Sequence, residues 1–365
     1  MLAACLRSLF AALLMLQGAL AWTAEVAYPP VVPGVALAFP EDTGAHPAFR
    51  TEWWYVTGWL EDEEGAERGF QVTFFRVRTG VGEDNPSRFA PRQLVLAHAA
   101  VADPQEGRLL HDERAARVLA PLAGFETGRT HAWTGDWSLM LEQGGYRTQV
   151  RAEDFAFDLR FAPQAPPMIN GEGGYSRKAA DPKHASYYYS RPQLAVEGHL
   201  RVREATHRVR GRAWLDHEWS SELMPPGARG WDWIGINLHE GGALMAFRMR
   251  DEAGQPLWAG GSLRGADGAL HSFGAEDVRF AAGRRWRSPR TGADYPVEWT
   301  LDIAAPEGGE PRTLKVVPLM DDQELDSRRS TGAVYWEGAV RLLEDGREIG
   351  RGYLEMTGYA ERLRM

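Results

Sequence analysis

The sequence predicts an all-β protein built as two antiparallel β-barrels in tandem, and three observations carry that prediction. Alternating or aromatic runs of strand character follow one another closely, turn residues separate them, and one strand–turn–strand unit occurs twice. The chain has 365 residues, 44% of them apolar and 11% aromatic, which suits about two packed domains and excludes a disordered chain. Fourteen tryptophans are the unusual figure. A net charge of −9 without a long basic run argues against a nucleic-acid partner and against an anionic membrane surface. The single cysteine, Cys5, excludes an internal disulfide and a thiolate metal cluster.

Residues 1–21 read as a secretory signal peptide. Arg7 is their only charge, Leu9 to Leu16 is apolar, and Ala19-Leu20-Ala21 supplies the small-residue cut site. Gln17 and Gly18 interrupt the stretch before it reaches the length of a membrane span. Cys5 precedes the apolar stretch, so it is misplaced for lipid attachment after cleavage. The expectation is a periplasmic or secreted protein, cut near Ala21, whose fold rests on core burial without disulfides.

Strand signals then run in order: Trp53 to Leu60, Phe70 to Arg78, Gln93 to Val101, Trp137 to Glu142, Leu194 to Val202, Val209 to Asp216 and Trp233 to His239. Hairpin turns such as Glu63-Glu64-Gly65, Gln143-Gly144-Gly145, Asp267-Gly268 and Glu344-Asp345-Gly346 punctuate the chain. Helical spacing is nearly absent; Glu113 to Leu119 is the best short candidate. The repeat pairs Val196-Glu197-Gly198-His199-Leu200-Arg201 and Gly211-Arg212-Ala213-Trp214-Leu215-Asp216 with Trp336-Glu337-Gly338-Ala339-Val340-Arg341 and Gly350-Arg351-Gly352-Tyr353-Leu354-Glu355. It divides the chain into domains over 41–222 and 230–365, joined through Met224-Pro225-Pro226-Gly227. A barrel of about eight strands fits each copy and encloses at most one small ligand. Phe161 to Lys183, rich in Pro and Gly, is an insertion in the first copy and reads as a lid or as a plain surface loop.

No nucleophile elbow, zinc helix, P-loop or dinucleotide fingerprint is present, and no two histidines stand at i, i+2 or i, i+4. Neither a metal nor a cofactor is expected. The densest constellation is Trp214-Leu215-Asp216-His217-Glu218-Trp219. On a strand Arg210, Arg212, Trp214 and Asp216 share one face. Either they line a pocket, where a desolvated Asp216 serves as general acid, or they form a solvent face with Asp216 paired to an arginine. Tyr187 and Tyr189 share a face and offer apolar wall with hydroxyl donors. Glu52 and Trp54 face opposite to Trp53 and Tyr55, and both Glu52 and Asp232, the latter between Trp231 and Trp233, are candidate buried carboxylates.

These motifs, with Gly352-Tyr353-Leu354-Glu355-Met356-Thr357-Gly358-Tyr359, run in order from His46 to Glu361. Together they resemble the AttH-like predicted secreted hydrolases, relatives of the carotenoid 1,2-hydratases. The resemblance implies two lipocalin-like barrels in tandem. It also implies an Asp that protonates an isolated terminal isoprenoid double bond, after which water captures the tertiary carbocation with no cofactor. Asp216 matches that Asp. Where the hydratase branch has a His and a Trp two apart, and a Tyr two before the Asp, this chain has Tyr187, Tyr189 and Trp214. Relatives resemble catalysts acting on other polyenes, and AttH-like members are associated with export ABC transporters. The expectation is therefore an exported, cofactor-independent acid/base enzyme of hydratase or lyase type on an apolar, isoprenoid- or polyketide-like molecule. Asp216 would donate the proton, and Tyr187, Tyr189, Trp214, Glu52, Trp54, Trp231 and Asp232 would bind the substrate. The alternative is a non-catalytic carrier of a lipid or hydrophobic metabolite that works with an envelope ABC transporter.

Overall fold

The alternating runs become long strands that pair antiparallel throughout, because each presents one apolar face to a barrel interior and needs its backbone groups satisfied on both edges. The computed structural model describes residues 26–304 and 310–363, so the expected signal segment and Cys5 lie outside the described residues. The first copy contains β1 (Thr51–Asp62), β2 (Glu67–Arg78), β3 (Gln93–Asp103), β4 (Arg108–Arg117), β5 (Ala123–Phe125), β6 (His131–Thr134) and β7 (Trp137–Glu142). It continues with β8 (Gly145–Arg151), β9 (Phe155–Pro163), β10 (Met168–Ile169), β11 (Tyr175–Arg177), β12 (Ala185–Val202) and β13 (Ala205–Ser220). The second copy contains β14 (Gly230–Leu238), β15 (Ala243–Arg250), β16 (Pro256–Arg264), β17 (Leu270–Phe273), β18 (Val278–Ala282) and β19 (Arg285–Arg287). After these come β20 (Asp294–Pro296), β21 (Trp299–Ile303), β22 (Arg312–Pro318), β23 (Glu324–Ser327), β24 (Ala333–Glu344) and β25 (Arg347–Thr357).

The 13-stranded sheet runs β4-β3-β2-β1-β13-β12-β9-β8-β7-β6-β5, with β10 and β11 paired to β12 off this path, and curls until β4 lies near β5 and β6. The 10-stranded sheet runs β17-β16-β15-β14-β25-β24-β22-β21-β18, with β23 paired to β24 off this path, and β18 returns towards β16. Both are nearly closed, lipocalin-like barrels. They exceed the expected eight or so strands because the far wall of the first is broken into short strands by turns such as Gln143-Gly144, both at positive φ. Glu113 to Leu119, the helix candidate, is corrected: Glu113 to Arg117 belong to β4, where pairing with β3 in continuous register overrides a weak local preference.

Each barrel is filled by its inward faces. Trp54, Val56, Phe70, Phe74, Leu139, Phe157 and Leu215 occupy the first, and Ile234, Ile236, Trp299, Trp336 and Leu354 the second. The outward faces of β1, β12 and β13 meet those of β14, β24 and β25 in a third buried cluster, the seam, containing Tyr55, Trp59, Tyr188, Trp214, Trp233 and Tyr353. The registers show the duplication: Asp216 lies between Tyr55 and Ser190, as Glu355 lies between Trp233 and Glu337. Polar ties cross the seam. Trp59 Nε1 donates to the Gly352 carbonyl at 2.9 Å, and Asn237 Nδ2 donates to the Ala213 carbonyl at 3.1 Å.

Gly352 is required by close approach, since a Cβ there would lie 1.8 Å from the Gly235 carbonyl oxygen across the β14–β25 ladder. Gly352→Ala is expected to lower stability by roughly 1–3 kcal/mol, the usual cost of overpacking, read as a lower urea midpoint at unchanged slope. An unchanged midpoint would refute the close approach.

Candidate active site at the seam

Strand parity brings Asp216 and Trp214 out of the first barrel and into the seam, together with Tyr188 and Ser190 from the neighbouring strand β12. The Asp216 carboxyl is buried and receives three neutral donors. Ser190 Oγ and Trp214 Nε1 donate to Oδ1 at 2.5 and 2.6 Å, and the Tyr188 hydroxyl donates to Oδ2 at 2.8 Å. Those donors are themselves oriented: Trp233 Nε1 donates to the Tyr188 oxygen at 3.0 Å, and Asn170 Nδ2 donates to Ser190 Oγ at 2.8 Å. No Lys or Arg forms an ion pair with Asp216 among the described residues; the nearby Lys178 is paired with Glu218 at 2.8 Å. Burial pushes the Asp216 carboxyl up to about 7, the three hydrogen bonds holding it from going further, and the Glu218 charge adds slightly to the rise. A carboxyl so poised can lend a proton at neutral pH and take one back.

The surroundings are apolar and aromatic. Trp53, Met224, Trp231, Trp258 and Leu319 rim the seam cluster and remain partly exposed. The Pro/Gly insertion crosses the seam. Its Met168 is buried there, Asn170 and Lys178 reach Ser190 and Glu218, and Lys178 Nζ stands 4.3 Å from the Phe247 ring centre. Arg264 Nη1 and Ser272 Oγ of the second barrel donate to the Pro166 and Gly171 carbonyls at 2.9 and 3.2 Å. The insertion turns sharply at Gly171, whose φ of +68° suits glycine. It therefore spans both barrels and covers Asp216.

Of the predicted site residues, the structure gathers Asp216, Trp214 and Trp231 at the seam and places the other five elsewhere. Glu52, Trp54, Tyr187 and Tyr189 belong to the opposite faces of β1 and β12, and Asp232 faces the interior of the second barrel. A strand residue cannot share a face with its immediate neighbour, so it is Tyr188 that reaches Asp216, not the tyrosines on either side. Tyr187 and Tyr189 pack instead with Val31, Trp219 and the His217 ring at one end of the first barrel. Trp54 stacks on His217 with ring centres 4.8 Å apart.

Glu52 is the centre of a saturated network. Oε1 receives His217 Nε2 at 2.9 Å and His46 Nδ1 at 2.7 Å, while Oε2 receives Arg76 Nε at 2.9 Å; Asp42 Oδ1 closes on His46 Nε2 at 3.0 Å. Burial alone would raise Glu52, but the hydrogen bonds from His217 and His46 and the Arg76 charge hold it far below the usual carboxylate range. Arg76 is shifted down as well, because its burial outweighs what Glu52 returns. Guanidinium pairs of this kind stay charged, so the interior pair is ionic. His46, Glu52 and His217 hold possible ligand atoms within 4.8 Å of one another, yet the carboxylate is already shared and a guanidinium sits against it, which opposes a further cation. Asp232 repeats the theme, receiving Arg248 Nε at 2.7 Å, Arg250 Nε at 3.2 Å and the Tyr359 hydroxyl at 2.9 Å. A concavity of about 600 Å³ opens beside it, lined by Arg229, Arg248, Arg250, Arg285 and Tyr359, but its arginines are paired with Asp232, Glu252 and Asp294 and it lies away from Asp216.

Sequence reasoning passed over Tyr55, Tyr188, Ser190, Trp233, Lys178 and Glu337 as site residues. Tyr188 and Ser190 were available from parity once β12 and β13 were taken as neighbours. Lys178 and Glu337 depend on the packing of the insertion and the second barrel, which no local pattern encodes.

Fold and site together define a tandem lipocalin-like protein with a carboxyl group that is enclosed between its two barrels and held by neutral donors. The chain belongs to the AttH-like family, whose model matches residues 30–359. It is 48% identical to a Nitrosomonas europaea protein assigned as an AttH, with a TM-score of 0.83 over 91% of this chain and 99% of that one. The kievitone hydratase of Nectria haematococca shares the fold at 14% identity and a TM-score of 0.67, covering 92% of this chain and 97% of that one. CghA shares it at 14% identity and a TM-score of 0.54, covering 93% and 98%. No curated protein matches the chain by sequence.

The two kinds of buried carboxyl predict opposite pH responses. Asp216 binds its proton more tightly folded than unfolded, so its burial costs stability increasingly as pH rises from about 4 to about 7. Glu52 binds its proton less tightly folded, so its stabilisation is present at neutral pH and is lost as pH falls through the acid range. Urea titrations should therefore show Asp216→Asn gaining on the parent protein by roughly 1–3 kcal/mol between pH 5 and pH 8, whereas Glu52→Gln is destabilised at pH 7 and converges on the parent in acid. Parallel pH curves for both variants would contradict these assignments.

Proposed function

We propose that this protein is an exported, cofactor-independent enzyme of hydratase type acting on an apolar, isoprenoid- or polyketide-like molecule at the seam. One observation carries the reading: a buried carboxyl with three oriented neutral donors, no ion pair among the described residues and a proton affinity raised to about 7 lies in an aromatic cluster rimmed by partly exposed apolar side chains. The likeness in fold to a kievitone hydratase is consistent with it.

In the proposed reaction the Asp216 O–H bond breaks as a C–H bond forms at the terminal carbon of the double bond, leaving a tertiary carbocation. The faces of Trp214, Trp233 and Tyr188 stabilise that charge. Water then forms the C–O bond, and its surplus proton returns to the Asp216 carboxylate. The sum is addition of water, with no electron transfer. Ser190, Trp214 and Tyr188 support the carboxylate at the moment it is ionised, and the insertion limits stray water.

Incubation in ¹⁸O-labelled water with apolar isoprenoids carrying a terminal double bond tests the proposal by mass spectrometry. The parent protein is expected to add one labelled water, at a rate that falls as pH rises through about 7, and Asp216→Asn to lose about 10²–10⁴-fold in rate, the usual worth of a general acid. Recovery of the same unchanged apolar molecule from both proteins, without labelled product, would overturn the enzyme reading in favour of a carrier. For export, amino-terminal sequencing of the periplasmic protein is expected to begin at Trp22; an intact Met1 would contradict cleavage near Ala21.

A further inference from the structure

Asp216 is not the sole acid at the seam. Glu337 and Glu355 are direct cross-strand partners on β24 and β25, so their side chains leave the sheet on one face, an arrangement that like charges oppose. Glu337 is buried and takes the Tyr55 hydroxyl. Glu355 receives Trp231 Nε1 at 3.1 Å and keeps part of its surface accessible. The Tyr353 hydroxyl, two residues before Glu355 and on the same face, is buried with no hydrogen-bond partner. No Lys or Arg forms an ion pair with either glutamate among the described residues, in contrast to Glu52 with Arg76 and Asp232 with Arg248 and Arg250. Burial pushes both carboxyls upward, Glu337 to about 8, so the pair carries protons at neutral pH.

A carboxyl pair without an ion-pair partner among the described residues, bordered by the Trp231 indole and by the unpartnered hydroxyl of Tyr353 on the same sheet face, is the chemistry that recognises an organic cation. We propose that Glu337 and Glu355 bind positive charge borne by an apolar organic molecule, an alkylammonium in a stable ligand and the carbocation in the reaction at Asp216. The second half rests on the proposed function, and the first stands without it. As the cation enters, one carboxyl O–H bond breaks and its proton passes to the solvent, so the neutral pair becomes the counterion. Tyr55 and Trp231 hold the two carboxyls in place.

Calorimetric titration with decyltrimethylammonium below its micelle concentration, and with 1-decanol as the neutral comparison, tests this on the full chain. The parent protein is expected to bind the cation about tenfold or more tightly than the alcohol, with heats that depend on the buffer's ionisation enthalpy because a proton is released. Glu355→Gln and Glu337→Gln are each expected to lose both the preference and the proton release while keeping affinity for the alcohol, which also reports that the variant is folded. Equal binding of cation and alcohol by the parent, or an undiminished preference in both variants, would overturn the proposal. Because the readout is binding, its failure leaves the labelled-water result at Asp216 untouched, and the converse also holds.

Discussion

Everything distinctive about this molecule depends on the packing of one barrel wall against another. A strand wall facing water can carry carboxylates at little cost, but the walls of β13 and β25 face each other, and their acids enter a medium that cannot solvate charge. Inside each barrel the same problem is met with arginine: Glu52 with Arg76, Asp232 with Arg248 and Arg250. At the seam Asp216 and the Glu337–Glu355 pair meet it with neutral donors, while Glu218 takes Lys178 of the insertion. One architecture thus holds two kinds of buried acid, one paired with guanidinium groups inside the barrels, the other held by neutral donors at the seam.

The seam also explains why neither simple reading of the Asp216 face applies. It is not the lumen of a barrel, because Ala213 and Leu215 take that side, and it is not a solvent face, because the second barrel covers it. Duplication creates this third environment from two outward faces. The tryptophans follow the same logic. Trp54, Trp299 and Trp336 fill barrel interiors, whereas Trp59, Trp214 and Trp233 fill the joint between them.

Much of the fold was legible in the sequence, because period-two alternation and glycine turns are local. The limits of β7, Trp137 to Glu142, could be read directly, as could the matched strands that carry Asp216 and Glu355, although β13 and β25 run on to Ser220 and Thr357. The site was legible only in part. Parity along β13 correctly grouped Trp214 with Asp216, but which strand lies beside β13, and in which register, decides between Tyr188 and its neighbours, and that is a non-local fact. The contributions of Lys178, Trp233 and Glu337 are further removed still: Lys178 arrives as the insertion folds back onto Glu218, and Trp233 and Glu337 come from the other barrel.

The insertion between β9 and β12 occurs in the first copy, and it settles over Asp216 while anchoring to Arg264 and Ser272 of the second. Two identical halves would give a joint with two interchangeable acid centres and no preferred direction for a ligand. Adding one segment to one half destroys that equivalence: Asp216 becomes the enclosed centre and Glu355 the accessible one. The joint thereby acquires a direction from one segment and its two short strands, β10 and β11, and the two acids at one duplicated position stand in unlike surroundings.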